Sequence, residues 1–100
     1  MLDQTRLEIT YQDGAKRTVM ADQRDAEAFE RWGAARGFYA PRGTSLMAAM
    51  PSSFYRVAAW SALQREAGKA IDYDTWTATV FEALPVSEPQ PVDPTTGGGD

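Results

Sequence analysis

The aromatic side chains constrain the fold of this chain most, because all eleven lie within the first 85 residues. Large aromatic residues bury enough apolar surface to define a core, and a segment without them does not. After Leu84 the sequence becomes rich in proline and acidic residues and reaches three successive glycines. We therefore expect one compact domain over residues 1–85 and a disordered Pro/acid/Gly tail over residues 86–100.

Periodicity predicts a β-hairpin at the start of the domain. From Leu7 to Tyr11 apolar residues alternate with polar ones, which is typical of a half-buried strand. The pair Asp13-Gly14 follows as a hairpin turn signal, and residues 16–21 read as the return strand.

The register of this hairpin stays open between two loops. A two-residue loop places Ile9 opposite Thr18, whereas a three-residue loop that includes Ala15 places Ile9 opposite Val19. We prefer the second register, because it collects more apolar side chains on one face of the hairpin.

Start and stop residues predict two helices after the hairpin. The first helix begins after the N-cap Asp22 and ends at Gly37, and a loop with two aromatic residues that pin it to the core follows. The second begins at Pro51, whose missing N–H suits a first helical position, and ends at Gly68. Residues 45–50 form a separate turn.

A third helix is predicted from Asp72 to the stop at Pro85. Its apolar residues recur at helical spacing, namely Tyr73, Trp76, Thr77, Val80, Phe81 and Leu84. The predicted fold class is therefore α+β, with an N-terminal β-hairpin, three α-helices and a disordered C-terminal tail.

The composition argues against enzymatic catalysis and against metal binding. The chain has neither cysteine nor histidine, so it lacks the thiolate and imidazole groups that most often serve as metal ligands and general bases. Acidic residues near helix starts, Asp22 with Asp25 and Asp72 with Asp74, are explained as helix caps rather than as metal ligands. We predict that the protein is not an enzyme and holds no cofactor and no metal.

Charge and hydropathy argue against two classes of partner. The net charge is −4, and the scattered arginines form no basic stripe for a phosphate backbone, so we predict no nucleic-acid binding. No run approaches the ~20 apolar residues of a membrane span, and the start of the chain is unlike a signal peptide. We expect a soluble cytoplasmic protein without a membrane partner.

The apolar surface of the helices is the candidate site. The second helix is apolar around most of its circumference, which indicates a central helix, a contact with another chain, or both. The candidate protein-binding residues are Phe54, Tyr55, Trp60, Trp76 and Phe81. Tyr39, Met47 and Met50 add further apolar surface, and filling of the core explains this surplus as well as an interface does. A stacking platform of tryptophans is the weaker alternative to core packing.

The order of these motifs resembles a known family. The hairpin is followed by Phe29-x-x-Trp32, Gly37-Phe38, Ala59-Trp60-x-Ala62-Leu63-x-Arg65, Gly68, Tyr73-x-x-Trp76 and Val80-Phe81-Glu82, and then by the acidic tail. This succession, over roughly residues 5–95, is similar to the tail assembly chaperones of long-tailed actinobacterial phages and prophages. It departs from their pattern at Pro51 and in a shorter acidic run after Phe81.

The resemblance implies a non-enzymatic factor in virion morphogenesis that acts in the host bacterial cytoplasm. Such chaperones coat the tape measure protein, keep it soluble and extended, and help to recruit the major tail protein during phage tail assembly. The family commonly makes a short and a longer form by programmed frameshift, and this chain corresponds to the short form. The expected partners are the tape measure protein, the major tail protein, the longer form and further copies of the chain as a homo-oligomer.

Two other functions fit the same sequence. One is a small structural tail or neck subunit of the virion, and the other is a prophage-encoded regulatory domain that binds a protein partner as an antitoxin does. The codons of Gly97–Gly99 are the candidate slippage site for the frameshift, and a flexible polar end is the alternative explanation of these glycines.

Overall fold

The structure, a computed structural model, describes residues 4–86 and has an α+β fold, which confirms the predicted class. Three antiparallel strands form one sheet in the order β2-β1-β3, and the helices pack on it. The elements in chain order are β1 (Thr5–Tyr11), β2 (Lys16–Ala21), α1 (Gln23–Ala35), α2 (Leu46–Ala49), α3 (Pro51–Ala67), α4 (Tyr73–Thr77) and β3 (Val80–Pro85).

Helix α3 is the central element, because it contacts all three strands as well as α1, α2 and α4. Its ends are those that the sequence predicts: Pro51 is the first helical residue, and Gly68 ends the helix in the left-handed conformation at φ 70°. Three alanines on the buried side of the helix allow close approach to its neighbours. The buried residues of α3 are Phe54, Val57, Ala58, Ala59, Ala62 and Leu63.

A buried ion pair ties α1 to α3 and to the end of β2. Asp22 caps α1, and the Asp25 carboxylate accepts the Asp22 N–H at 2.8 Å, which completes a capping box. Asp25 is fully buried, and the Arg65 guanidinium donates to both of its oxygens at 2.8 Å. Arg65 also donates to the Met20 carbonyl at 3.2 Å. The hydrogen bonds to Asp25 raise the pKa of Arg65 and leave the buried carboxylate paired.

The hairpin adopts neither of the two predicted registers. Its loop has three residues, but they are 12–14 rather than 13–15, so Leu7 lies opposite Val19 and Ile9 opposite Arg17. The Tyr11 N–H donates to the Ala15 carbonyl at 2.8 Å and closes the loop. The apolar side chains of β1 and β2 still share the core face, because the preferred register and the observed one differ by two residues.

The predicted third helix is wrong beyond Thr77. Helix α4 has five residues, and the chain then forms β3, which pairs antiparallel with β1. In this pairing Tyr11 lies opposite Val80 but Thr10 lies opposite Glu82, so Phe81 is the extra residue of a β-bulge. The bulge puts Val80 and Ala83, three residues apart, on the buried side, and this spacing imitates a helix in the sequence.

The last strand runs slightly past the predicted end of the domain. Pro85 is the final residue of β3, and the Val86 N–H donates to the Arg6 carbonyl at 2.9 Å, so pairing with β1 includes residue 86. The predicted disorder of the tail, from residue 87 onward, lies outside the described residues.

Candidate functional site

The five residues predicted to bind a protein partner do not form one exposed surface. Phe54 and Trp76 are core residues with 3% and 7% of their surface exposed. Tyr55 and Trp60 are half-buried, and Phe81 is 60% exposed on β3. Phe54 and Trp76 therefore belong to the core, and binding of a protein partner by these five residues stays a prediction.

Four of these five residues belong to one continuous aromatic network. The rings of Phe29 and Phe54 meet edge to face at 5.3 Å, and those of Phe29 and Trp32 stack at 5.8 Å. Tyr73 continues the network, because its ring lies 5.7 Å from that of Trp32 and 5.3 Å from that of Trp60. Further ring contacts add Phe38, Tyr55 and Trp76. Such pairs contribute about 0.5–1.5 kcal/mol each beyond their buried area, so the network is foremost a core.

Of the five exposed large apolar side chains among residues 4–86, three lie on the connection between α1 and α3, and the other two, Phe81 and Leu84, lie on β3. We call Phe38, Tyr39 and Met47 the connection patch, since all three lie between these helices and are 39%, 79% and 44% exposed. In the sequence, Tyr39 and Met47 belong to the apolar residues that exceed the needs of a small core. It also predicted that the aromatic residues at 38 and 39 pin this loop to the core, which is wrong for Tyr39.

The connection is held to the domain by few contacts. Helix α2 contains no buried residue, and Leu46 is its half-buried anchor. Leu46 packs against Gly33 of α1. A Cβ atom on Gly33 would lie only 2.5 Å from Leu46 Cδ2, so a larger residue does not fit there without a shift of Leu46. Gly33 is buried on α1, and its missing side chain makes room for α2.

A cavity of about 190 Å³ opens beside the connection patch, between α1, α2 and the start of α3. Phe29, Phe54 and Met47 supply its apolar walls, and Gln23 and Glu30 supply polar groups. Pockets that bind small molecules usually measure about 300–1,000 Å³. The size and lining of this cavity suit one apolar side chain of a protein partner.

A second cavity, of about 340 Å³, lies between the C-terminal halves of α1 and α3 and has a different character. We call it the arginine-tryptophan groove, and its main lining residues are Arg31, Trp32, Arg36, Trp60, Ser61 and Gln64. The guanidinium of Arg36 lies 4.6 Å from the centre of the Trp32 ring and 3.6 Å from the carboxylate of Asp74. Sequence reasoning did not find this groove, because its residues come from two helices that no pattern places side by side.

The ionisable side chains form no candidate metal centre within residues 4–86. No group of three or more acidic residues there is arranged to hold a metal ion. The pKa of Asp22 falls to about 2 because its carboxylate accepts hydrogen bonds from Arg24, and the pKa of Asp72 is lowered by the Thr75 N–H that it caps. The shift of Asp72 arises from helix capping, whereas that of Asp22 arises first from the hydrogen bonds that the Arg24 guanidinium donates. No helix in the described part of the chain is long and apolar enough to cross a membrane.

Comparison with known proteins identifies no family. No protein-family model matches the chain, and neither a curated protein nor a solved structure matches it. The resemblance to tail assembly chaperones therefore stays a prediction that rests on the order of the motifs.

Proposed function

We propose that this chain is a tail assembly chaperone of a long-tailed phage or prophage. It binds the tape measure protein, keeps it soluble and extended, and helps to recruit the major tail protein, without catalysing a reaction. The observation that carries the proposal is the connection patch, where Phe38, Tyr39 and Met47 expose apolar surface and Met47 also lines a cavity of side-chain size.

The connection patch has the properties that binding of a long apolar client requires. Met47 is unbranched and polarizable, so it adapts to different apolar side chains. Tyr39 offers a large ring with a polar hydroxyl, a combination that is enriched at protein interfaces. Because α2 contributes no buried residue, this segment can also adjust its position at little cost to the core.

Co-expression with the tape measure protein tests the proposal. In the double variant Tyr39→Asp with Met47→Asp, the charges oppose burial of the patch in an interface, so we expect the client to become insoluble and to be lost from affinity purification. The matched control is Leu84→Asp, which also places a charge on an exposed apolar residue but on β3 rather than on the connection. Unchanged co-purification by the double variant would refute the assignment of this surface.

The candidate slippage site gives a separate test of the family. Glycine codons all begin with GG, so the codons of Gly97–Gly99 form a G-rich run on which tRNAs can slip by one nucleotide and pair again. Expression with the downstream region should yield a minor longer product, and synonymous recoding of these three codons should abolish it. A single product from the native sequence in a bacterial host would contradict the chaperone assignment.

A further inference from the structure

An acidic side of α1 borders the cavity beside the connection patch. Glu30 is exposed and lines the cavity together with the apolar side chains of Phe29, Met47 and Phe54. Glu27 precedes Glu30 by three residues, so it lies one turn away on the same side of α1, and it is exposed too. Within residues 4–86, neither glutamate forms an ion pair, and no basic side chain lines the cavity.

The arginines of α1 nearest to these glutamates do not neutralise them. Arg24 and Arg31 both lie about one turn from Glu27, but Arg24 pairs with Asp22 at 2.7 Å, and Arg31 lines the arginine-tryptophan groove instead of the cavity. The two carboxylates can therefore pair with a basic side chain of another protein, whereas an acidic side chain would be repelled. Charge complementarity thus indicates a partner that brings lysine or arginine to this side of α1.

The walls of the cavity favour a helical segment of that partner. They consist of side chains from α1, α3 and the connection, and the backbone groups within a helix are already hydrogen-bonded to one another. An extended segment would bury N–H and C=O groups without partners there, whereas a helix satisfies its own. Side chains three or four residues apart on a helix have Cβ atoms about 5–6 Å apart, so one face can supply both an apolar residue for the cavity and a basic residue for Glu30 or Glu27.

We propose that the cavity binds a basic amphipathic helix of the client. One apolar side chain of this helix enters between Phe29 and Phe54, and a lysine or arginine one turn away pairs with Glu30 or Glu27. Met47 lines the cavity and belongs to the connection patch, so it joins this contact to the exposed apolar surface. The inference rests on the proposed function, because it specifies the segment of the client that the cavity binds.

Two synthetic helices test this chemistry without the tape measure protein. Both are alanine-rich peptides of about 18 residues, long enough to form a helix, with leucine at every fourth position. The residues three before and three after the central leucine are lysines in one peptide and glutamates in the other. In fluorescence anisotropy at low ionic strength, the lysine peptide should bind at least about fivefold tighter, since one exposed ion pair accounts for up to about that factor. This ratio should approach one in about 1 M salt, where the Debye length is ~3 Å.

Variants of the protein assign the preference to these side chains. Glu27→Lys with Glu30→Lys should reverse the preference, and Glu27→Gln with Glu30→Gln, which keeps side-chain shape and helical propensity, should abolish it. The matched control is Glu82→Lys, which reverses an exposed charge on β3 and should leave the preference unchanged. Ala26→Leu fills the cavity without changing the charge, so it should weaken binding of the lysine peptide at least about tenfold.

Three results would overturn the inference: equal binding of the two peptides at low ionic strength, a preference that persists in Glu27→Gln with Glu30→Gln, or no saturable binding of the lysine peptide below about 1 mM. Wild-type affinity of the Ala26→Leu variant would overturn it as well, because the leucine would then bind elsewhere. Failure of the proposed function has a different signature, since the variant Tyr39→Asp with Met47→Asp would then still co-purify with the tape measure protein.

Discussion

The buried ion pair between α1 and α3 gives the sharpest prediction for stability. In Arg65→Met, Asp25 loses two hydrogen bonds of 2.8 Å from the guanidinium and keeps only the one from the Asp22 N–H. Removing one partner of a buried ion pair costs ~3–5 kcal/mol, because the other charge stays buried without compensation. The Arg65 side chain is 31% exposed, so water reaches part of the vacated space and the lower end of this range applies.

We therefore expect Arg65→Met to lower the free energy of unfolding by ~3 kcal/mol, which corresponds to a fall in Tm of about 12–24 °C for a domain of this size. Urea unfolding followed by tryptophan fluorescence measures the loss. The control is Arg17→Met, which breaks an ion pair of 3.6 Å between exposed residues and should cost less than ~1 kcal/mol.

A double-mutant cycle assigns this loss to the ion pair. Asp25→Asn keeps a carbonyl acceptor for the Asp22 N–H but removes the charge, so the combined variant with Arg65→Met should be more stable than the sum of the two single losses predicts. A cost of Arg65→Met below ~1 kcal/mol, or strict additivity in the cycle, would refute the reasoning.

Three further predictions follow from single contacts. Gly33→Ala should displace Leu46 and weaken capture of the tape measure protein, while the helical preference for alanine keeps the change in unfolding free energy within ~1 kcal/mol in a urea titration. Because hydrogen bonds from Arg24 hold the pKa of Asp22 at about 2, below its ordinary 3.8, the stabilisation by this carboxylate is complete above pH 3.8 and is lost as the pH falls towards 2. In circular dichroism, Asp22→Asn should therefore show a flatter dependence of stability on pH in this window. Phe81→Ser should change stability by less than ~0.5 kcal/mol in a thermal melt, since the side chain is 60% exposed.

Local chemistry explains why several element boundaries could be predicted. Asp22, Pro51 and Gly68 each act through their own backbone or side chain, as an N-cap, a first helical residue and a left-handed C-terminal residue. No distant residue changes these roles, so the sequence at each boundary is sufficient.

The hairpin register, by contrast, depends on residues far along the chain. The Gln12 N–H donates to the Thr79 carbonyl at 2.8 Å, and the Gln12 side chain donates to the Val80 carbonyl at 3.2 Å. These bonds hold Gln12 in the loop, which therefore begins one residue before the Asp13-Gly14 signal. A turn rule that considers only neighbouring residues does not include these hydrogen bonds to Thr79 and Val80, so it does not predict this register.

The candidate site could be predicted only in part, because it also depends on contacts between residues that are distant in the sequence. Apolar surplus at Tyr39 and Met47 was visible in the sequence, but the choice between core and surface depends on which aromatic residues fill the core first. Trp32, Trp60 and Tyr73 meet only because α1, α3 and α4 converge. Once these rings complete the core, the residues of the short connection are left outside it.

Several backbone groups at the exposed edges of the sheet already have hydrogen-bond partners, which favours binding of another protein chain to the helices instead. At the start of β3 the Arg56 guanidinium donates to the Phe81 carbonyl at 3.0 Å, and at its end Pro85 has no N–H to offer a further strand. At the end of β2 the Met20 N–H donates to the Glu66 carboxylate at 3.0 Å, and its carbonyl accepts from Arg65. Since these groups already have partners, addition of a client strand would require breaking them, whereas binding to the α1–α3 connection breaks no hydrogen bond of the sheet. A client is therefore expected to bind through its side chains to the helical side of the domain.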